Sequence, residues 1–347
     1  MARKIFCFVV AFFYFFSLMA TLWLFGLKQT LLNVDYYKTI LKKSDFYSRF
    51  IDDATPYIFE KIAKEKNIPP EVLSAKEVTA ILKKTFPKSW IQNQTELALD
   101  GFSDYITGRK EKVVVTLDLA GIKKPLSDEI TKSLNEAWEK LPYCSIFQLD
   151  QIEATDSPSL AILCRPPGVK VNKIISAIIS GQNGLVSRIP DKYEMGNNLP
   201  KDSWQGLSDA RNVYRTYFQM LIISLVVTLV LLIILILLNL KRPKGAIKWV
   251  AIPSICASAM VLIVSFTTPF IGSNLILKNI DPGLSPGLNN LIISVLKTSL
   301  NEASGKLMII SGSVLAVSTV LLIASHFLFK NKEVAQKEEK PVEPKSS

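Results

Sequence analysis

The 347-residue chain contains a single histidine, and this shortage limits the chemistry that it can perform. His326 lies in an apolar run near the C-terminus, so no Ser-His-Asp or Cys-His arrangement can be built in the polar part of the chain. The His-based zinc motifs are excluded for the same reason. The sequence also has no P-loop and no Gly-x-Gly-x-x-Gly motif. We therefore expect no cofactor and no metal site, and the remaining catalytic sets are a Ser/Lys pair or paired carboxylates.

Asp, Glu, Lys and Arg are absent from four apolar runs, at 5–27, 216–240, 249–272 and 307–329. At about 1.5 Å of rise per residue, each run is long enough to cross a hydrocarbon core of about 30 Å. Backbone groups in lipid must be satisfied within the segment, which makes each run a helix. Uncharged spans argue against a transporter or channel, which usually needs ionisable groups in its membrane helices.

The uneven distribution of basic residues predicts the orientation of these helices. Segments 1–4, 241–248 and 330–347 hold 11 Lys and Arg in 30 residues, whereas 273–304 holds two. Basic residues concentrate on the cytoplasmic side, so we expect both termini there. The topology determinants are Arg3, Lys4, Lys241, Arg242, Lys244 and Lys248. The net charge of +11 therefore does not indicate a nucleic-acid partner, since 28–215 has 27 basic and 24 acidic residues.

The predicted protein is an α-helical multi-pass protein of the plasma membrane, with four transmembrane helices and a helix-dominated α+β extracytoplasmic domain. Segment 5–27 is too long for an ordinary signal peptide and is expected to stay as an uncleaved anchor; cleavage would leave three helices in the same orientation. The predicted order is a cytoplasmic N-terminus (1–4), transmembrane helix 1 (5–27), the extracytoplasmic domain (28–215), transmembrane helix 2 (216–240), a basic cytoplasmic loop (241–248), transmembrane helix 3 (249–272), an extracytoplasmic loop with an amphipathic helix (273–306), transmembrane helix 4 (307–329) and a disordered cytoplasmic tail (330–347).

Within 28–215, hydrophobic periodicity and capping signals predict several elements. The face formed by 32–41 is expected to continue the first span outward, and Ser208 is expected to cap the helix that enters the second span. Ser74 and Glu77 have the spacing of a capping box. The alternating valines and leucines of 112–120 predict a strand with one apolar face. The remaining predictions are helices at 45–66, 74–85, 89–107, 126–140 and 171–180, and a second strand at 160–163.

Two of the four cysteines, Cys144 and Cys164, lie in the predicted extracytoplasmic domain. An oxidising compartment favours a disulfide between them. Cys7 and Cys256 lie within spans and are interpreted as apolar fillers.

The disulfide cysteines are one candidate site, and the other is the amphipathic helix that Ser285 and Pro286 are expected to start. Its docking stripe consists of Leu288, Leu291, Ile292, Val295 and Leu296. We expect the stripe to cover the large domain or the ends of the spans; a surface for another protein is the alternative.

These observations favour a non-enzymatic membrane protein whose outer domain serves binding, sensing or envelope assembly. The expected partners are the lipid bilayer and a further membrane or envelope protein. Two alternatives stay open: a transporter accessory subunit or channel, and a membrane-anchored hydrolase using Ser/Lys or carboxylates.

Overall fold

A computed structural model describes residues 2–66, 74–145, 164–165, 186–196, 200–240, 243–272 and 284–338. Most of these residues are helical. In chain order the elements are α1 (Ala2–Gln29), α2 (Val34–Lys43), α3 (Phe46–Lys66), α4 (Ala75–Thr85), α5 (Lys88–Ile106), β1 (Thr116–Asp118), α6 (Ala120–Lys140), β2 (Lys192–Glu194), α7 (Lys201–Leu238), α8 (Pro243–Ile271) and α9 (Pro286–Glu338). The predicted strand 160–163 and helix 171–180, with Lys241 and Arg242, lie outside the described residues.

Four of the described helices are long and apolar enough to cross a membrane, which confirms the predicted fold class. The candidate spans are Arg3–Gln29, Asp202–Leu238, Gly245–Ile271 and Pro286–Phe327. Large apolar side chains stay exposed along these helices, most of all on α7, and a lipid bilayer covers them. The chain is therefore a multi-pass membrane protein.

The most extensive helix contact in the described residues joins α8 to α9, and small residues line both helices. Ser254, Ser258 and Ser265 of α8 are buried, and so are Ser311 and Ser318 of α9. Serine at these positions lets the two backbones approach, and its hydroxyl bonds to a carbonyl one turn earlier, as Ser258 does to Ser254 at 2.6 Å.

Helix α1 is joined to α7 by hydroxyl contacts in the interior of the membrane region. Thr21 Oγ1 lies 2.7 Å from Ser224 Oγ and 2.9 Å from Thr228 Oγ1, and Ser17 Oγ lies 2.7 Å from the same Thr228 oxygen. Hydrogen bonds of this kind contribute about 0.6 kcal/mol each in a membrane interior. The spans are thus held by packing and neutral hydrogen bonds.

In the segment predicted as the large domain, 28–215, the described residues form helices α2 to α6, the two strands and the first part of α7. Tyr47, Ile51 and Ile91 form one buried cluster there, with Leu82 and Trp90 packed against them, and Tyr105, Val113 and Val115 form another. The predicted capping box is present: the Ser74 hydroxyl accepts the Glu77 N–H at 3.3 Å, and the Glu77 carboxylate accepts the Ser74 N–H at 3.0 Å.

The two described strands form a small antiparallel sheet in which Leu117 lies opposite Tyr193. The predicted alternation is correct, since Val113 and Val115 are buried while Val114 is exposed. The strand itself is shorter than the predicted 112–120, because its partner β2 has only three residues. A further backbone hydrogen bond extends the ladder at each end. At one end Met195 N donates to Val115 O at 2.9 Å.

Two predicted helix ends differ from the structure. The first span does not continue outward as one helix: it ends at Gln29, and Asn33 caps a separate α2 by accepting the Asp35 N–H at 3.0 Å. Helix α7 begins at Lys201 after Pro200, so Ser208 is an interior residue whose hydroxyl donates to the Gln205 carbonyl at 2.8 Å.

The amphipathic helix, the fourth span and the start of the tail form one helix of 53 residues, α9. The prediction divided this segment at 307 and 330. The nine tail residues 330–338 are rich in Lys, Glu, Ala and Gln, which are good helix formers and extend the helix beyond the membrane.

Candidate functional site

The candidate site is the junction, defined as the contact of 286–306 of α9 with α2, α3 and the end of α1. Leu291 of the predicted docking stripe is the most enclosed residue here, with 1% of its surface exposed. Leu288, Ile292 and Val295 are half-buried, and Leu296 is 36% exposed at the edge. The stripe thus runs from an enclosed centre to an exposed edge on a helix that contacts α2 and α3.

A carboxylate of α3 lies at the first turn of α9. An added Cβ on Gly287 would lie 3.1 Å from Asp53 Oδ1, so glycine is what allows the two helices this close. Arg49 Nη2 lies 2.9 Å from Asp53 Oδ2 and balances its charge. A carboxylate at a helix N-terminus is stabilised by the partial positive charge of the free N–H groups.

Ser285 was expected to cap α9 with its side chain. Its hydroxyl is buried and has no hydrogen-bond partner in the described part of the chain. The residue contributes through its backbone, because its carbonyl accepts the Asn289 N–H at 2.9 Å. Near the same first turn, Asp53 of α3 places a carboxylate, whereas the serine hydroxyl was expected to accept a backbone N–H.

Tyr36 of α2 forms the central polar contact of the junction. Its ring is 1% exposed, and its hydroxyl donates to the Ser299 carbonyl at 2.6 Å and lies 2.8 Å from Ser299 Oγ. Burial raises the pKa of the Tyr36 phenol; the hydrogen bond to Ser299 opposes this shift, and the neighbouring Tyr37 and Glu302 add to it. The phenol is therefore neutral at physiological pH and remains a donor.

Two lysines complete the junction. Lys43 at the end of α2 lies 2.5 Å from Glu302 of α9. Lys306 Nζ donates to the Gln29 carbonyl at 2.8 Å and lies 5.1 Å from the centre of the Tyr36 ring. The ammonium satisfies a free carbonyl at the end of α1 and ties three helices together where the chain leaves the membrane.

The predicted disulfide between Cys144 and Cys164 is present. The two short segments around it also pair through their backbones, since Cys144 N donates to Arg165 O at 3.1 Å and Arg165 N donates to Pro142 O at 2.7 Å. This cross-link lies in the large domain and is not part of the junction.

The described topology determinants lie at the opposite end of the helix bundle from the large domain. Arg3 and Lys4 are exposed at the start of α1, and Lys248 is exposed in the second turn of α8. Lys244 lies in the first turn of α8.

The junction consists of apolar contacts, hydrogen bonds and an ion pair between helices. Within the described ranges, no group of three or more His, Cys, Asp or Glu side chains is placed to hold a metal ion. Sequence reasoning identified the stripe on α9 but missed Tyr36, Ser299 and Lys306 as a unit, because their contacts span more than 260 residues. Comparisons with protein-family models, with curated proteins and with solved structures found no match to this chain.

Proposed function

We propose that this multi-pass membrane protein is non-enzymatic and that its large domain, 28–215, lies outside the cell membrane, where it binds, senses or assembles an envelope partner. Both termini and the basic loop 241–248 then lie in the cytoplasm. The disulfide supports an oxidising compartment for the domain. The basic residues at the other end of the bundle support the same orientation.

The observation that carries the proposal is the junction. Helix α7 passes without a break from the domain into the membrane, and α9 does the same while docked on α2 and α3. A domain fixed at two helices transmits a load or a bound state to the membrane part. An enzyme that is merely anchored to a membrane does not need this coupling.

Site-specific photo-crosslinking in intact cells tests the proposal. A photoreactive residue replaces exposed apolar residues of the domain, at Leu97 and at Val114, and a control replaces the lipid-facing Val226 of α7. We expect a reproducible protein adduct from at least one domain position and lipid adducts alone from Val226. The absence of a protein adduct from both domain positions, at normal expression and folding, would contradict a binding role.

A further inference from the structure

A cleft of about 400 Å³ lies beside the point where α7 enters the membrane. It opens between the end of α5 and one face of α7, and both Arg211 and Arg215 line it. The two arginines are one helical turn apart, so they project from the same face. Like charges at this spacing repel each other and weaken a helix unless an anion neutralises them.

No acidic residue lines the described part of this cleft. Neither arginine forms an ion pair or a hydrogen bond with another described residue. Asp104, in the last turn of α5, forms ion pairs with Arg109 Nη2 at 3.1 Å and with Lys110 Nζ at 3.0 Å. Among the described residues, the cleft is therefore a concave surface with two guanidinium groups and no acidic partner.

The cleft holds one guanidinium in position. Arg211 Cζ lies 5.1 Å from the centre of the Tyr105 ring, a cation–π geometry that restricts the side chain. Gly108 also lines the cleft and has a φ of +78°, a conformation that other residues rarely adopt. An added Cβ on Gly108 would lie 3.6 Å from Arg211 Nη2, at van der Waals distance.

Aromatic residues place the cleft at the surface of the bilayer. The predicted apolar run begins one residue after Arg215, and Tyr214 stacks on Phe218 with ring centres 6.4 Å apart. Lys28, at the end of the first span, lies with its Nζ 5.9 Å from the centre of the Phe218 ring. Aromatic and basic side chains gather at the level of lipid headgroups. A third cation thus stands at the edge of the cleft.

We propose that this cleft binds the phosphate group of an anionic membrane phospholipid. Arginine matches phosphate through paired, charge-assisted hydrogen bonds, and two arginines on one face bind one phosphate from adjacent sides. Basic pockets between membrane helices are known to bind anionic headgroups on the cytoplasmic side, and this cleft offers the same chemistry at the opposite surface. The apolar Phe218 continues from the headgroup site toward the acyl chains.

The test uses the full-length protein in vesicles of phosphatidylcholine alone or of equal parts phosphatidylcholine and phosphatidylglycerol. Lipid retained after mild detergent extraction is counted by native mass spectrometry. The test variant is Arg211→Gln with Arg215→Gln. The control, Lys61→Gln with Lys64→Gln, removes the same charge from an exposed face of α3. Thermal unfolding in phosphatidylcholine alone checks that each variant folds.

We expect the wild type and the lysine control to retain phosphatidylglycerol selectively, and the arginine variant to retain on the order of tenfold less. Retention should fall with added salt in the wild type. Equal retention by both variants would overturn the proposal. If the arginine variant does not fold, wild-type retention without headgroup preference or salt dependence would overturn it. Displacement of phosphatidylglycerol by an equal concentration of inorganic phosphate would assign the cleft to a free anion instead of a lipid.

Discussion

Two buried tyrosines of the large domain should respond differently to the loss of their hydroxyl groups. Tyr36→Phe removes the 2.6 Å hydrogen bond to Ser299 across the junction. We expect a loss of about 1 kcal/mol, since the Ser299 carbonyl keeps its helical partner and only the net value of one hydrogen bond is lost. Tyr47 is 2% exposed, and its hydroxyl has no hydrogen-bond partner in the described part of the chain. Tyr47→Phe should therefore be neutral or stabilising by up to about 1 kcal/mol, because it removes a desolvated polar group.

The assay is guanidinium unfolding of both variants in detergent, followed by tryptophan fluorescence, with reversibility checked by refolding. Tyr37→Phe is the control, because the Tyr37 hydroxyl bonds to the Leu31 carbonyl at an exposed position and should change stability little. Of the two buried variants, only Tyr36→Phe should lower the free energy of unfolding. A Tyr47→Phe protein that loses as much stability as the Tyr36→Phe protein would refute it.

Three further predictions concern pH, a close helix approach and the disulfide. Burial raises the pKa of Tyr47 from 10.0 to about 12, and Glu96 adds to the shift. The contribution of the neutral Tyr47 phenol to the free energy of unfolding is therefore complete below pH 10 and is lost as pH rises toward 12. Wild-type stability should fall relative to Tyr47→Phe over that range. Gly26→Ala places a Cβ against the Leu307 side chain and should cost about 1–3 kcal/mol, which Leu307→Ala should partly restore. Replacing both disulfide cysteines by alanine should lower stability by about 3 kcal/mol in the chain-entropy model.

Each of these predictions has a direct control. The pH series measures both proteins in one buffer set, and parallel curves between pH 10 and 12 would contradict the shift at Tyr47. Gly305→Ala, where an added Cβ meets nothing within 4 Å, should stabilise α9 by up to about 1 kcal/mol. If Gly26→Ala also raises the stability, the close approach of Gly26 to the Leu307 side chain is contradicted. For the disulfide, equal stability of the double-alanine variant and the wild type would contradict the prediction.

Local signals predicted the elements whose ends depend on nearby residues. The capping box of Ser74 and Glu77 fixed the start of α4, since both partners lie within one turn of each other. The end of α1 was missed because the apolar period of 32–41 continues that of the span, so periodicity alone does not reveal a break. The break depends on Asn33, whose side chain caps the next helix; asparagine is a favoured N-cap residue, so this signal was present but outweighed by the periodicity.

Long-range pairing was beyond the reach of the sequence pattern. The alternation of Val113 and Val115 predicted the buried face of the strand, but nothing local identified the partner strand at Lys192–Glu194. The junction shows the same limit. The stripe on α9 was visible, whereas its target, with Tyr36 as the polar contact, depends on residues far apart in the chain. The proposed cleft also combines α5 with α7, which only the tertiary fold brings together.

The most direct test of the account asks on which side of the membrane the large domain lies. A full-length variant with Cys7→Ala and Cys256→Ala leaves the disulfide pair as the only cysteines. Intact cells are treated with a membrane-impermeant thiol reagent, with and without prior reduction, and again after denaturing lysis. The account predicts labelling of intact cells only after reduction. Labelling only after lysis, whatever the reductant, would contradict an extracytoplasmic domain and the binding role proposed for it.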